Sequence, residues 1–349
     1  MENKKEHTSE ELAVLWQSAR LKVTDEYKVA PEILWAHGSS IGTLGNFSAS
    51  TGKAKSKKTF NVSAIVAAAL KNDEVLRYVA ELPPSKRKLL YVDTEQSPFH
   101  CQKVMKRILR LADLPADIHP EDLEFLALRQ YNPEDRVGVI DHVINHMNGL
   151  GLVIIDGIRD LMYDINNPSE ATILVNKLMQ WTDQHQIHIH TVLHLNKGDD
   201  NTRGHIGTEL NNKAETILQI TKSDMDGDIS EVKAMHIRDR EFEPFAFRIN
   251  DEALPELAEG YVIEKSKTQK RFSYTELTEA QHREALTNAL GDQLIRGHQN
   301  LLDILQKGYV TVGFERGRNV ILDLKKFLVY KRMIVKEGKG YKYNPEFHY

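Results

Sequence analysis

Between about residues 33 and 265, short apolar runs alternate with amphipathic helical stretches, and this alternation narrows the possible folds more than any other feature. Strand candidates are Leu89–Asp93, Leu123–Leu128, Leu152–Asp156 and Ile187–His194. Between them lie helix candidates at Asn61–Lys71, Pro98–Leu111, Asp135–Met147 and Ser169–His185. Parallel strands need a long crossover, usually a helix, whereas antiparallel ones can be joined by a tight turn. The pattern therefore predicts an α/β fold, a three-layer core with a mostly parallel sheet covered on both faces. Ala214–Ser223 and Ser230–Ile249 read as antiparallel strands extending its edge.

At 349 residues the chain is too long for one typical core. Residues 1–30 read as a polar helical extension around Glu10–Lys22, ended near Pro31, and 31–265 as the sheet-bearing domain. A unit at 272–349 offers helices at Glu276–Leu290, His298–Gln306 and Arg318–Lys331, then two β-prone runs within Met333–Tyr343 around a Glu-Gly-Lys-Gly turn. That order predicts a small C-terminal winged-helix-like domain, although helical bundles with a terminal hairpin share it. The single Cys101 excludes a disulfide framework and reads as structural. With no signal-peptide pattern and no apolar run of ~18 residues, the expectation is a cytoplasmic protein without membrane partners.

The net charge of −4 hides an asymmetry. Residues 272–349 carry 12 Lys+Arg against 9 Asp+Glu, and the remainder 34 against 41. A basic end on an acidic body suggests an anionic partner. Arg318, Lys325 and Lys326 on the last helix, with Lys336, Lys339 and Lys342 on the hairpin, are candidate phosphate contacts for DNA, and protein binding is the open alternative.

The chemistry concentrates at Gly52-Lys53-Ala54-Lys55-Ser56-Lys57-Lys58-Thr59, which follows an apolar segment and opens a helix. A phosphate loop needs converging backbone N–H groups, a helix N-terminus, a lysine for the β/γ-phosphates and a hydroxyl for Mg²⁺. Lys58 and Thr59 stand in the last two positions, while Lys57 replaces the usual glycine. Its side chain must point away from the phosphates, or the loop must be remodelled. A solvated lysine-rich turn is the alternative. Asp93 and Glu95 end one apolar run and Asp156 ends another. Ligands bind at the carboxyl ends of strands in open α/β sheets, so Asp156 with Thr59 can hold Mg²⁺ and Glu95 can orient the attacking water. Singly, each acid reads equally well as a strand-end cap. His185, His188, His190 and His194 invite a metal reading, but no cysteine or carboxylate cluster completes a closed site, so they read as hydrogen-bonded sheet histidines.

As a set, these motifs resemble the RepA-type RecA-like ATPases, hexameric plasmid helicases and their mobile-element relatives. Gly45–Thr59 is similar to the entry of that family's nucleotide loop, and Val153–Leu161 to its Mg²⁺ strand. The resemblance spans about Pro31 to Asn250 and departs at Lys57 and at the short Gly198–Thr202 loop. It implies a RecA-like core and ATP and Mg²⁺ as cofactors. It also implies Glu95 as catalytic glutamate and His194, in Leu193–Lys197, as a γ-phosphate-sensing residue. Arg203, in Arg203–Glu209, would be an arginine reaching a neighbour's nucleotide, with Arg238 and Arg240 as a second trans-acting pair. No arginine beside the motifs in sequence is placed to meet the γ-phosphate, so the site is expected to be shared between subunits. The implied partners are copies of the chain in a hexamer, DNA, and replication or mobilisation proteins. The implied activity is a helicase or translocase, with an ATP-switched loading factor or a non-catalytic nucleotide-binding module as alternatives.

Overall fold

The computed structural model describes residues 7–195, 204–223, 226–261, 263 and 276–347. Arg203, Lys197 and the Gly198–Thr202 loop lie outside the described residues. The chain divides into two compact units, Met1–Ile263 and Glu264–Tyr349.

In the first unit, helix α1 (Ser9–Ser18) opens with a Thr8–Glu11 capping box and buries none of its residues. Strands β1 (Glu32–Ala36) and β2 (Ser39–Thr43) form a hairpin, β3 (Phe47–Gly52) leads into α2 (Lys58–Lys71), and β4 (Glu74–Val75) and β5 (Tyr78–Ala80) follow. These short strands make an antiparallel sheet of order β2-β1-β5-β4, which the sequence pattern does not predict. The alternation then runs β6 (Lys88–Asp93), α3 (Pro98–Leu111), β7 (Leu123–Ala127), α4 (Pro133–His146), β8 (Leu150–Asp156), α5 (Pro168–His185), β9 (His188–His194), α6 (Gly204–Lys213) and β10 (Thr216–Lys222). Strands β11 (Ile229–Ile237), β12 (Phe245–Ile249) and β13 (Pro255–Leu257) complete a nine-stranded sheet of order β13-β12-β11-β10-β3-β9-β8-β6-β7.

The six strands from β10 to β7 run parallel, and β11 to β13 are antiparallel. Ala214–Ser223 thus corrects the expectation, because β10 is parallel to β3, with Thr216 opposite Ser48, and only its β11 side is antiparallel. The crossover helix α6 was not legible, since its Gly-His-Ile-Gly start and paired asparagines resemble a loop. Alternate residues of β8 point to opposite faces. Leu152 and Ile154 join a core with Val62, Ile65 and Val66 of α2 and Val104 and Ile108 of α3. Val153 and Ile155 join a second core with Ile140 of α4, Leu174 and Trp181 of α5 and Leu210 of α6. Sheet and two helical layers follow from that parity, and truncating a fully buried member such as Ile65 to alanine would cost about 2–5 kcal/mol.

A polar line crosses this apolar sheet. His188 Nδ1 lies 2.9 Å from the Thr43 carbonyl, which only accepts, so that nitrogen carries the proton. His188 Nε2 then accepts from the Ser48 hydroxyl (2.7 Å), and Ser48 Oγ accepts from His190 Nδ1 (2.7 Å). His190 Nε2 in turn accepts from Ser50 (2.8 Å). Burial pushes both imidazoles down, His190 to about 3, so the line is neutral. Every ring nitrogen of these two histidines has a partner.

The second unit contains α7 (Glu279–Ala289), β14 (Ile295–Arg296), α8 (His298–Val310), α9 (Arg318–Tyr330), β15 (Ile334–Glu337) and β16 (Gly340–Tyr343). Its sheet has the order β14-β16-β15 with antiparallel pairings, and its own core includes Leu286, Leu301, Leu305, Tyr309, Leu324 and Leu328. No described helix in either unit is long and apolar enough to cross a membrane.

Candidate active site

The sheet register aligns four strand ends. Gly52 of β3 faces His194 of β9, Asp156 of β8 faces Val192 of β9, and Asp93 of β6 faces Asp156. With β9 lying between the loop-bearing strand and the acid-bearing strand, His194 is brought in among Lys58, Glu95 and Asp156.

The loop after β3 has local causes. A Cβ on Gly52 would stand 2.3 Å from the Ile220 carbonyl oxygen and 2.5 Å from Ser56 Oγ, so no other residue fits there. Lys55 and Lys57 both take left-handed backbone conformations, with φ of 66° and 65°. Lys57 is the N-cap of α2 and provides no side-chain cap, which leaves the first-turn N–H groups for an anion. Its own side chain turns away and donates to the Asp228 carbonyl in the β10–β11 connection. A lysine therefore occupies the glycine position without entering the loop's interior. Ser56 Oγ is buried within the loop without a hydrogen-bond partner among the described residues.

Lys58 is buried and donates to the carbonyls of Gly52 (2.9 Å) and Lys53 (3.0 Å) and to His194 Nδ1 (3.0 Å). Desolvation holds its ammonium down at about 8, against the pull of Asp156 and Glu95. Thr59 Oγ1 donates to Asp156 Oδ2 at 3.1 Å, and the Tyr91 hydroxyl donates to the same oxygen at 2.9 Å. Burial, with the charge of Asp93 adding, pushes the Asp156 carboxyl up to about 6. Asp93 itself is consumed: it accepts from the Glu95 and Gln96 N–H groups (2.9 and 2.7 Å) and from the Gln96 amide (2.7 Å). It holds the turn that presents Glu95. The half-exposed Glu95 lies 3.6 Å from His194 Nε2. His194, ahead of Lys58 and Arg159, keeps that carboxyl below the usual carboxylate range. Because Lys58 only donates, His194 Nδ1 accepts, and the neutral ring's proton sits on Nε2, toward Glu95.

These groups border a cavity of about 300 Å³. Its remaining wall comes from α3, where His100, Lys103, Val104 and Arg107 follow one another at helical spacing, with the Arg107 guanidinium 3.6 Å from the Phe60 ring centre. Sequence reasoning missed this wall, though an i, i+3, i+4, i+7 face on the helix after Glu95 was there to be read. It missed Arg159 as well. That residue borders a neighbouring cavity with Glu95, as an arginine of the same chain that the sequence reading did not single out. Arg238 is elsewhere. Its N–H bonds the Glu215 carbonyl, level with Phe47 at the start of β3. Five residue steps along β3 separate that level from Gly52, roughly 16 Å at ~3.3 Å per residue. Cys101 has no role in the cavity, and burial pushes its thiol up to about 12.

The residues present fit a magnesium nucleotide: an uncapped helix N-terminus, an unpartnered buried hydroxyl, a lysine that can redirect its ammonium, and a threonine–aspartate pair. Residues 30–200 match the family model described as an AAA domain. No curated protein sequence matches the chain. Among solved structures that match is the RadB recombinase, at 15% identity over 60% of this chain and 90% of that one, with a TM-score of 0.42. The segment that holds the phosphate loop, the acidic strand ends and His194 is thus similar in sequence to the AAA domain family of P-loop ATPases.

Proposed function

We propose that the chain is a Mg²⁺-dependent ATPase that works as a DNA helicase or translocase, assembled as a homo-oligomeric ring of six, in the replication or mobilisation of a plasmid or mobile element. The observation that carries the ATPase reading is the convergence of Lys58, Thr59, Asp156, Glu95 and His194 on one cavity at the strand ends. In this reading the N-terminus of α2 and the loop N–H groups hold the β-phosphate, and Lys58 leaves the Gly52 and Lys53 carbonyls for the β/γ-phosphates. Thr59 and Asp156 would hold Mg²⁺, which when bound neutralises charge building on the phosphate oxygens. Glu95 orients water and takes its proton as the water oxygen attacks the γ-phosphorus. The bond to the β–γ bridging oxygen breaks, leaving ADP and inorganic phosphate. His194, in contact with both Lys58 and Glu95, reports the γ-phosphate to the water-directing acid.

Arg238 and Arg240 are assigned to a neighbour's site, since Arg238 stands too far along the sheet to serve its own, and Arg203 remains a further candidate. The 272–349 unit is assigned as a winged-helix-like module, supported by its helix–strand–helix–helix–hairpin order. Of its candidate DNA contacts, Arg318 is paired with Asp303 (3.1 Å) and Lys326 with Asp323 (2.9 Å). Lys336 and Lys339 on the β15–β16 hairpin are exposed, which favours the hairpin as the contact. The test is Glu95→Gln: nucleotide binding should persist while hydrolysis slows by at least ~10². Wild-type turnover in that variant would refute the catalytic assignment, and forked-DNA strand displacement by the wild-type chain separates a helicase from a loading factor.

A further inference from the structure

Glu95 and His194 line two cavities at once: the nucleotide groove, and a second of about 660 Å³ whose walls include Lys53, Arg129, Arg159 and Asp160. The Glu95–His194 pair, 3.6 Å apart, is therefore a partition between them. The second cavity is built rather than incidental. Arg136 donates to the carbonyls of Leu128 (3.1 Å), Arg129 (2.9 Å) and Asp160 (2.6 Å), which ties the loop after β7 to the turn after β8. Thr94 Oγ1, in the turn after β6, adds a bond to Asp160 Oδ2 (3.0 Å). Two guanidinium groups from separate elements, Arg129 and Arg159, thus border one cavity, and Arg159 feels the carboxylates of Glu95 and Asp160 on the same wall.

We propose that this cavity is an oxyanion site that receives the inorganic phosphate cleaved from the nucleotide, with Arg129 and Arg159 as donors and Lys53 as a third cation. The proposal rests on the ATPase reading above and adds an exit for its product. Planar guanidinium forks match a tetrahedral oxyanion through paired, charge-assisted hydrogen bonds. Once the γ-phosphorus bond is broken, the phosphate dianion lies against the Glu95 carboxylate and is repelled by it. The cavity sharing that wall is lined by Lys53, Arg129, Arg136 and Arg159 against the carboxylates of Glu95 and Asp160, four cations to two acids, so displacement of the pair opens a path toward net positive charge. ADP meanwhile stays on the loop and the α2 N-terminus.

The experiment is the binding of inorganic phosphate to the full-length chain loaded with ADP and Mg²⁺, followed by calorimetry or equilibrium dialysis. Turnover of ATP by the wild-type chain tests the ATPase reading separately, because this binding needs no hydrolysis. The expected result is saturable phosphate binding that Arg129→Gln with Arg159→Gln weakens about tenfold or more, while ADP affinity stays within about twofold. Arg129→Lys with Arg159→Lys, which keeps the charge, should recover part of the loss, and thermal melts verify that each variant is folded. Absence of phosphate binding, or binding unchanged by the glutamine pair, overturns the proposal. So does a result in which that pair weakens binding of a single-stranded oligonucleotide and leaves phosphate untouched, since the cavity would then seat nucleic acid.

Discussion

Raising the pH should weaken nucleotide binding through Lys58 alone. Desolvation holds its ammonium at about 8 in the free chain, below its ordinary 10.5. A bound triphosphate requires the charged form and restores its ordinary proton affinity, so above pH 8 the chain must take up a proton to bind. The apparent Kd then scales as 1 + 10^(pH − pKa), which with a value of about 8 gives roughly an eightfold loss between pH 7.5 and 9, or about 1.3 kcal/mol. The ceiling is the gap between 10.5 and about 8, worth about 3.4 kcal/mol. Above ~pH 7.5 the nucleotide's own terminal phosphate, with a second pKa of about 6, no longer titrates. The assay is anisotropy of a labelled, non-hydrolysable ATP analogue with Mg²⁺ at constant ionic strength, paired with calorimetry in buffers of different ionisation heat. Proton uptake should be about half a proton at pH 8 and near one above pH 9. Lys58→Arg should abolish the slope, because a guanidinium does not titrate in this range. A flat Kd in the wild-type chain, or the same slope in the arginine variant, would refute the argument.

Asp156 should be a cost to the free chain at neutral pH. Its carboxyl is raised from 3.8 to about 6, so the stability it contributes is complete below pH 3.8 and lost as pH rises through 6, a cost of up to about 3 kcal/mol at pH 7.5. Asp156→Asn is expected to raise the melting temperature of the nucleotide-free chain at pH 7.5, with the gain shrinking below pH 6, while Mg²⁺-dependent hydrolysis disappears. Lower stability at pH 7.5 would mean that the bonds from Tyr91 and Thr59 outweigh desolvation. For the shared site, Lys58→Ala chains mixed with Arg238→Ala/Arg240→Ala or Arg203→Ala chains should regain part of the ATPase rate after subunit exchange is verified; no recovery at any ratio argues against action in trans. Replacing Lys336, Lys339 and Lys342 with glutamine should reduce the slope of log K against log salt by up to about 2.7 for duplex DNA, at ~0.9 per phosphate contact. An unchanged slope assigns the hairpin to a protein partner.

Local chemistry explains what was legible. Apolar runs such as Leu152–Asp156 and helical periodicities such as Pro98–Leu111 report short-range geometry, and the structure places strands and helices there within a few residues. The Gly52–Thr59 loop and the acids Asp93, Glu95 and Asp156 were readable for the same reason: backbone turn, lysine, hydroxyl and strand-end acid are each written within a few consecutive positions. Strand order is not written that way. It depends on hydrogen bonds between segments more than a hundred residues apart, so only the fold reveals that β9 inserts between β3 and β8. That insertion brings His194 between Lys58 and Glu95 and makes His188 and His190 part of a buried hydrogen-bonded line. The direction of Lys57 depended on Asp228, distant in sequence but brought beside it by the β10–β11 connection. The cluster of Arg129 and Arg159 depended on Arg136 joining two loops whose meeting no periodicity encodes. The sequence by itself determined which segments carry the lysine-rich loop, its hydroxyl and the strand-end acids. The tertiary structure decided which distant side chains surround them, because long-range pairing and burial set both their positions and, at Lys58 and Asp156, their protonation.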